Sequence, residues 1–189
     1  MKHKGAIIIG LVLIFISQLL MSFGYNFLMS QRPIDFSHWA LLIGALLQFG
    51  LWFNLPDNFF KSIGLSIMTF GIGGIVGMCT IDLVLWAAHS NPDVKQELFN
   101  IISNTPSIFY SFLVIGPTLF YMGLGISTYG LFSRYKWQVI ALNLGALMIG
   151  LGHMILNNRI IPVLGAVLLL VSIFSIIQST SSKPSVQQT

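Results

Sequence analysis

Charged side chains are scarce in this sequence, and their scarcity limits what kind of protein it can be. Lys, Arg, Asp and Glu together make up 7% of the 189 residues, whereas hydrophobic residues make up 55%. A soluble domain carries about 25% charged residues, because exposed apolar area would otherwise drive aggregation. The composition therefore predicts one membrane domain. The net charge of +4 does not indicate nucleic-acid binding, since the basic residues are scattered singly and form no basic face.

Cysteine and the sequence motifs of known membrane enzymes are also nearly absent. The single cysteine, Cys79, lies in an apolar segment, so the sequence has no internal disulfide and no CxxC metal or redox pair. Neither HExxH nor G-x-S-x-G occurs. Asp82 is the only acid inside an apolar segment, which leaves it no partner for an aspartyl dyad. An enzyme is therefore not the favoured interpretation, and neither a metal nor a cofactor is predicted.

Six long apolar segments are present. Each is close to the roughly 17–25 residues that a tilted helix needs to cross the hydrocarbon core. They cover residues 6–27, 39–55, 63–88, 107–132, 137–156 and 161–178. We therefore predict an all-α, polytopic membrane bundle of six transmembrane helices in residues 1–178, followed by a disordered cytoplasmic tail in residues 179–189.

The distribution of Lys and Arg predicts the orientation. One side of the membrane would hold six of them (Lys2, Lys4, Lys61, Arg134, Lys136 and Lys183) and the other three (Arg32, Lys95 and Arg159). The side richer in Lys and Arg is normally cytoplasmic, so both termini are expected in the cytoplasm and the protein in the plasma or inner membrane. An alternative is that the first segment is a signal peptide cleaved near residues 22–24, which would leave five helices.

The longest loop predicts a short helix of its own. Asn91, Pro92 and Asp93 combine a cap, a proline at the first helical position and an acid in the first turn. Val94, Leu98 and Ile101 then fall on one face. We expect an amphipathic helix on the outer membrane surface between helices three and four, the alternative being an ordered loop.

Polar residues gather in the half of each helix predicted to lie outside, and they define a candidate ligand-binding pocket. Asp82 and His153 lie at similar depth on helices three and five, and an ionised acid in apolar surroundings needs a cation or donor within about 4–6 Å. We therefore predict that they pair, with Arg159 as a competing partner. The candidate pocket comprises Asp82, His153, Trp86, Tyr25, Asn26, Tyr110 and Asn157. The alternative is that these residues only hold helices together.

Glycines in the third segment predict close helix packing. Gly73, Gly74 and Gly77 would form a small-residue surface that lets another helix approach, and Gly145, Gly150 and Gly152 would do the same in the fifth segment. A nucleotide-binding loop is excluded there, because such loops follow a strand.

The later half of the chain resembles known small proteins. Residues 116–120, Gly123 and the short basic turn at residues 134–137 resemble groups of small six-helix bacterial membrane proteins with no assigned activity. The resemblance implies the six-helix plan and no reaction. The favoured function is a pocket, open to the outside, that binds or moves a small molecule, lipid or proton. The alternatives are a structural or assembly subunit that contacts a membrane-protein partner, and an enzyme using an Asp/His acid–base pair.

Overall fold

The computed structural model describes residues 4–154, 156 and 158–181, apart from the side chains of residues 153, 154, 180 and 181. This part of the chain is helical and contains no strand. Its α-helices are α1 (Lys4–Ser22), α2 (Tyr25–Ser30), α3 (Phe36–Leu47), α4 (Phe59–Ala87), α5 (Pro92–Ser103), α6 (Pro106–Ile108), α7 (Gly116–Ser127), α8 (Lys136–Met154) and α9 (Ile161–Ser181). A 3₁₀ segment, Gln48–Phe53, extends α3, and a π-helical segment, Phe109–Ile115, joins α6 to α7.

The long helices form a closed ring in chain order. Helix α1 packs on α3, α3 on α4, α4 on α7, α7 on α8 and α8 on α9, and α9 returns to α1. Neighbours run antiparallel, as at the ring closure, where the Lys4 ammonium near the start of α1 donates to the Ile177 carbonyl near the end of α9 at 3.3 Å. The buried core lies on the inward faces, and Ile7, Leu65 and Leu124 are fully covered there. This order brings the last helix beside the first.

Five helices in the described residues are long and apolar enough to cross a membrane. They cover Lys4–Ser22, Phe36–Phe53, Phe59–Ser90, Pro106–Leu131 and Ile161–Ser179. The predicted fifth segment gives a shorter apolar helix, Lys136–Gly152. Long apolar helices of this kind indicate a membrane protein. The all-helical prediction is confirmed.

The first predicted segment is not one helix. Helix α1 ends at Ser22, and Gly24 has a φ of 93°, which is outside the helical region and which glycine adopts without a steric penalty. The chain then resumes as α2, where residues 25–27 were expected to continue α1. The Arg159 guanidinium packs against Gly24, so a side chain at this position would displace it.

The short loop helix is confirmed at α5. The Asn91 side chain accepts from the Val94 N–H at 3.3 Å, Pro92 is the first helical residue and Asp93 lies in the first turn. Its position on a membrane surface stays a prediction. Helix α9 continues to Ser181, into the segment expected to be tail, and residues 182–189 lie outside the described part of the chain.

Close contacts at glycines divide the six long helices of the ring into three tightly packed antiparallel pairs. In the α1/α3 pair, Gly10 faces Gly44, and in the α8/α9 pair, Gly145 faces Gly165. In the α4/α7 pair, a Cβ added at Gly74 would overlap the Gly116 backbone. Small residues allow this approach because their backbones can touch.

Part of the predicted glycine surface is wrong. Gly73 is exposed and a Cβ there would meet nothing, whereas Gly64, Gly71 and Gly74 face α7. The reason is the step of about 100° per residue, which turns Gly73 away from the seam that Gly74 faces. Gly77 does pack, against the Phe112 ring. In α8, Gly145 and Gly152 pack against α9, but Gly150 faces open space.

Candidate polar cavity

A cavity of about 820 Å³ lies inside the ring. Residues of α1, α3, α4, the π segment, α7, the 3₁₀ turn Tyr129–Leu131 and α8 line it, and most of the lining is apolar. Its size falls within the roughly 300–1,000 Å³ of small-molecule sites. The side chains that give it polarity are Gln18, His38, Asp82, Thr118, Tyr121, Tyr129 and Asn143. The described lining contains one acid, one histidine and neither Lys nor Arg.

The π-helical segment before α7 forms part of the cavity wall. Pro117 has no N–H to donate to the Leu113 carbonyl, and its ring would clash with the preceding turn of a regular α-helix. The helix widens over Phe109–Ile115 and continues through the proline. Leu113 and Pro117 both line the cavity.

Asp35, His38 and Asp82 form a hydrogen-bonded trio at the polar end of the cavity. The His38 Nδ1 lies 2.5 Å from Asp35 Oδ2, and its Nε2 lies 3.2 Å from Asp82 Oδ2. The trio therefore ties the start of α3 to the last third of α4. A neutral imidazole has a single N–H, so two carboxylate neighbours require either an imidazolium or a protonated carboxyl. In either case the trio holds one proton more than a neutral imidazole and two carboxylates would, so its net charge is −1.

Asp35 is held by the end of α3 as well as by His38. Its side chain caps the helix, accepting from the Ser37 N–H at 3.1 Å and the His38 N–H at 3.2 Å. Gln31 supports it by donating to the Ser37 hydroxyl at 2.7 Å. Asp35 is fully buried. Burial acts to raise the pKa of its carboxyl, but the hydrogen bonds and charge of His38 outweigh it, so the pKa of Asp35 is lowered.

Asp82 differs from Asp35 in its access to the cavity. Its side chain is 30% exposed, whereas that of Asp35 is 0% exposed. Asp82 Oδ2 faces His38, and the structure gives Oδ1 no hydrogen-bond partner among the described residues. Asp82 is therefore the carboxylate through which the trio meets whatever occupies the cavity.

The cavity also reaches the outer surface of the ring, between α7 and α8. Met122 on α7 and Leu147 and Leu151 on α8 line the cavity and are each more than 40% exposed. Toward the end of α7 and the start of α8 the two helices are in contact, because Asn143 packs against Gly125. The cavity is thus open sideways, toward the space that acyl chains would fill in a bilayer.

The residues of the predicted pocket do not all meet. Asp82 lines the cavity, whereas Trp86, one turn further along α4, lies beneath the Arg32 guanidinium at 4.8 Å. Tyr25 and Tyr110 are exposed. Asn26 is exposed too.

The predicted Asp82–His153 pair stays a prediction. The His153 backbone belongs to α8, but its side chain and all of Asn157 lie outside the described residues. The described partner of Asp82 is His38. Arg159, the expected competitor, has its guanidinium against Gly24.

Sequence reasoning missed Asp35 and the role of His38. Asp35 lies one residue before α3 and outside every predicted apolar segment, so it did not count as a membrane acid. The spacing Asp35-x-x-His38 was the available signal. An aspartate that caps a helix has a second oxygen free, and a histidine three residues later can reach it.

The Tyr25 region makes a separate contact between α2 and α5. The Lys95 ammonium donates to the Tyr25 hydroxyl and sits over its ring, 4.5 Å from the centroid. It also lies 3.4 Å from the Met29 sulfur. Burial lowers the pKa of Lys95. Tyr25 therefore anchors the short helices at this end of the ring and does not line the cavity.

Comparison with known proteins shows no relative. No protein-family model, no curated protein and no solved structure matches the chain. Any assignment of function therefore depends on the cavity itself.

Proposed function

We propose that the protein is a multi-pass membrane protein that binds a small amphiphile in its ring cavity. The observation that carries the proposal is the cavity of about 820 Å³, apolar over most of its wall, with the Asp82 carboxylate at its polar end. Binding sites for small molecules are typically concave and apolar, with a few polar groups that fix orientation. An apolar tail would lie along α7 and α8, and a polar head would meet Asp82 and His38.

The side opening supports entry from the bilayer. An amphiphile dissolved in the membrane has its tail at the depth of Leu147 and Met122, which border the opening. It would reach the cavity by sliding between α7 and α8 without passing through water. This route suits a poorly soluble ligand, because leaving the bilayer for water costs roughly 0.8 kcal/mol per exposed CH₂ group.

We place α8 across the membrane as a sixth span. The protein would lie in the plasma or inner membrane, with both termini in the cytoplasm. The division of Lys and Arg supports this orientation. The cavity then opens in the outer half. Green fluorescent protein fused after Thr189 should fluoresce, because it matures in the cytoplasm, and alkaline phosphatase inserted near Lys95 should be active. A dark fusion together with an inactive phosphatase would reverse the orientation.

Filling the cavity tests ligand binding directly. Gly150 lines the cavity and a Cβ added there would meet nothing within 4 Å, so the ring of Gly150→Phe is expected to occupy the cavity with little change in the backbone packing. We expect a long-chain alcohol with a photoreactive diazirine in its tail to label α7 and α8 of the wild-type protein in nanodiscs. Labelling should fall at least about fivefold in Gly150→Phe, read as labelled peptides by mass spectrometry.

Gly73→Phe is the matched control. Gly73 is also a helical glycine with open space beside it, but it does not line the cavity. This variant should be labelled like the wild type. Equal labelling of all three proteins, or labelling confined to the outer surface of other helices, would contradict ligand binding in the cavity.

A further inference from the structure

The charge of the cavity narrows the chemical class of its occupant. Resting on the proposed function, we propose that the ligand is a single-chain amphiphile with a cationic amine head, bound through Asp82. An ammonium group would lie against Asp82 and the alkyl chain would extend between α7 and α8. Neither a carboxylate nor a phosphate head would bind as well.

The first argument is the sign of the charge at the head position. In either protonation state that lets His38 bond both carboxylates, the trio of Asp35, His38 and Asp82 carries a net charge of −1. Both ring nitrogens of His38 already face carboxylates, at 2.5 and 3.2 Å, so neither is left to donate to an anionic ligand. An anion at this end of the cavity would face Asp82 in apolar surroundings, where like charges repel strongly.

The second argument is the lack of a cation elsewhere in the lining. No described residue that lines the cavity is Lys or Arg. Among the described residues outside the lining, the Lys95 ammonium is bound to Tyr25 and the Arg159 guanidinium packs against Gly24. The Arg32 guanidinium lies over the Trp86 ring and donates to the Met29 and Gln31 carbonyls. A cationic ligand would supply the countercharge that no described Lys or Arg places in the cavity. Charged hydrogen bonds of this kind are the strong ones.

The third argument is that Asp82 keeps one oxygen for a ligand. Oδ2 faces His38, and the side chain is 30% exposed and lines the cavity. A primary ammonium has three N–H donors and can bond Oδ1 while the remaining donors meet neighbouring acceptors. The Asn143 side-chain amide, by contrast, donates to the Val139 carbonyl at 2.8 Å further along the wall, where the tail would lie.

Competition against the diazirine alcohol tests the head-group class. Dodecylamine, dodecyltrimethylammonium, dodecanol and dodecanoate have the same tail, so differences between them report the head. In nanodiscs of phosphatidylcholine, dodecylamine should compete at least about tenfold better than the alcohol, because its ammonium adds hydrogen bonds to the attraction between charges. Dodecyltrimethylammonium, which has no N–H, should compete better than the alcohol through its charge alone, and the acid should compete worst. The preference for the cations should shrink to about twofold or less in Asp82→Asn, an uncharged side chain of the same shape. Glu97→Gln, which removes an exposed acid on α5, is the control and should keep the wild-type order.

The outcomes separate this proposal from the proposed function. If the alcohol labels the cavity but the four competitors act alike on the wild type, the cavity binds amphiphiles and the amine assignment is wrong. If dodecanoate competes best, the negative charge that we assign to the head-group site is wrong. If Asp82→Asn folds and keeps the full preference for cations, Asp82 is not the head-group site. If that variant does not fold, the ranking on the wild type decides. Absence of any cavity labelling refutes both proposals.

Discussion

Gly74→Leu is expected to lower the free energy of unfolding by roughly 3 kcal/mol or more, or to prevent folding. Even a Cβ at this position would overlap the backbone of Gly116 on α7. Backbone atoms cannot rotate away as a flexible side chain can, so α4 and α7 would have to separate. The separation would also uncover Ile75 and Phe120, which are buried on either side of the seam. The melting temperature of the protein in one detergent, followed by tryptophan fluorescence, measures the effect.

Gly73→Leu provides the control at the adjacent residue. Gly73 is exposed and a Cβ added there would meet nothing within 4 Å, so leucine should leave the melting temperature unchanged or raise it slightly. Leucine is a better helix former than glycine by roughly 0.5–1 kcal/mol, and it suits lipid. If the two variants melted together, the α4/α7 seam would not be where the structure places it.

His38→Ala is expected to destabilise the protein by about 3–5 kcal/mol. The histidine separates two carboxylates, and its removal would leave Asp35 fully buried without its ring partner and Asp82 without its only described one. Uncompensated charges in apolar surroundings are costly, and their mutual repulsion adds to that cost. His89→Ala is the control, because His89 is exposed just after α4 and its hydrogen-bond partner among the described residues is the Lys95 ammonium, at 3.5 Å.

A double variant identifies the cause of the loss. His38→Ala with Asp82→Asn removes one of the two opposed charges, so it should melt above His38→Ala alone. Asp82→Asn alone should cost less than His38→Ala, since its side chain is partly exposed and the amide can still face the ring. Should the double variant melt at the sum of the two single losses, the trio would not act as a unit.

The sequence was most informative where local physics decides the outcome. The apolar segments predicted the helices, and the run from Asn91 to Asp93 predicted α5, because capping depends only on neighbouring residues. The break at Gly24 was harder to foresee, since glycine also occurs inside membrane helices. Here a positive φ ends the helix, and only the backbone conformation shows it.

The candidate site depended on helix rotation, which composition does not encode. A helix that is apolar on nearly every side has no polar face to show which residues point inward. Asp82 was therefore identified, but its partner was sought on α8 and the described one is on α3. The same uncertainty in rotation assigned Gly73 to the seam that Gly74 occupies. Which helices are neighbours, and which face each presents, are properties of the ring as a whole.

The glycine contacts within the three helix pairs limit how the helices can move. Within each pair, backbones touch at Gly10 and Gly44, at Gly74 and Gly116, or at Gly145 and Gly165, so the two helices cannot slide or tilt without collision. We therefore expect each pair to move as a unit. A change in the volume of the cavity would then come from rotation of one pair against another, and the border between α7 and α8 is one such boundary. On this basis we expect the side opening to widen or narrow while all three pairs keep their internal packing.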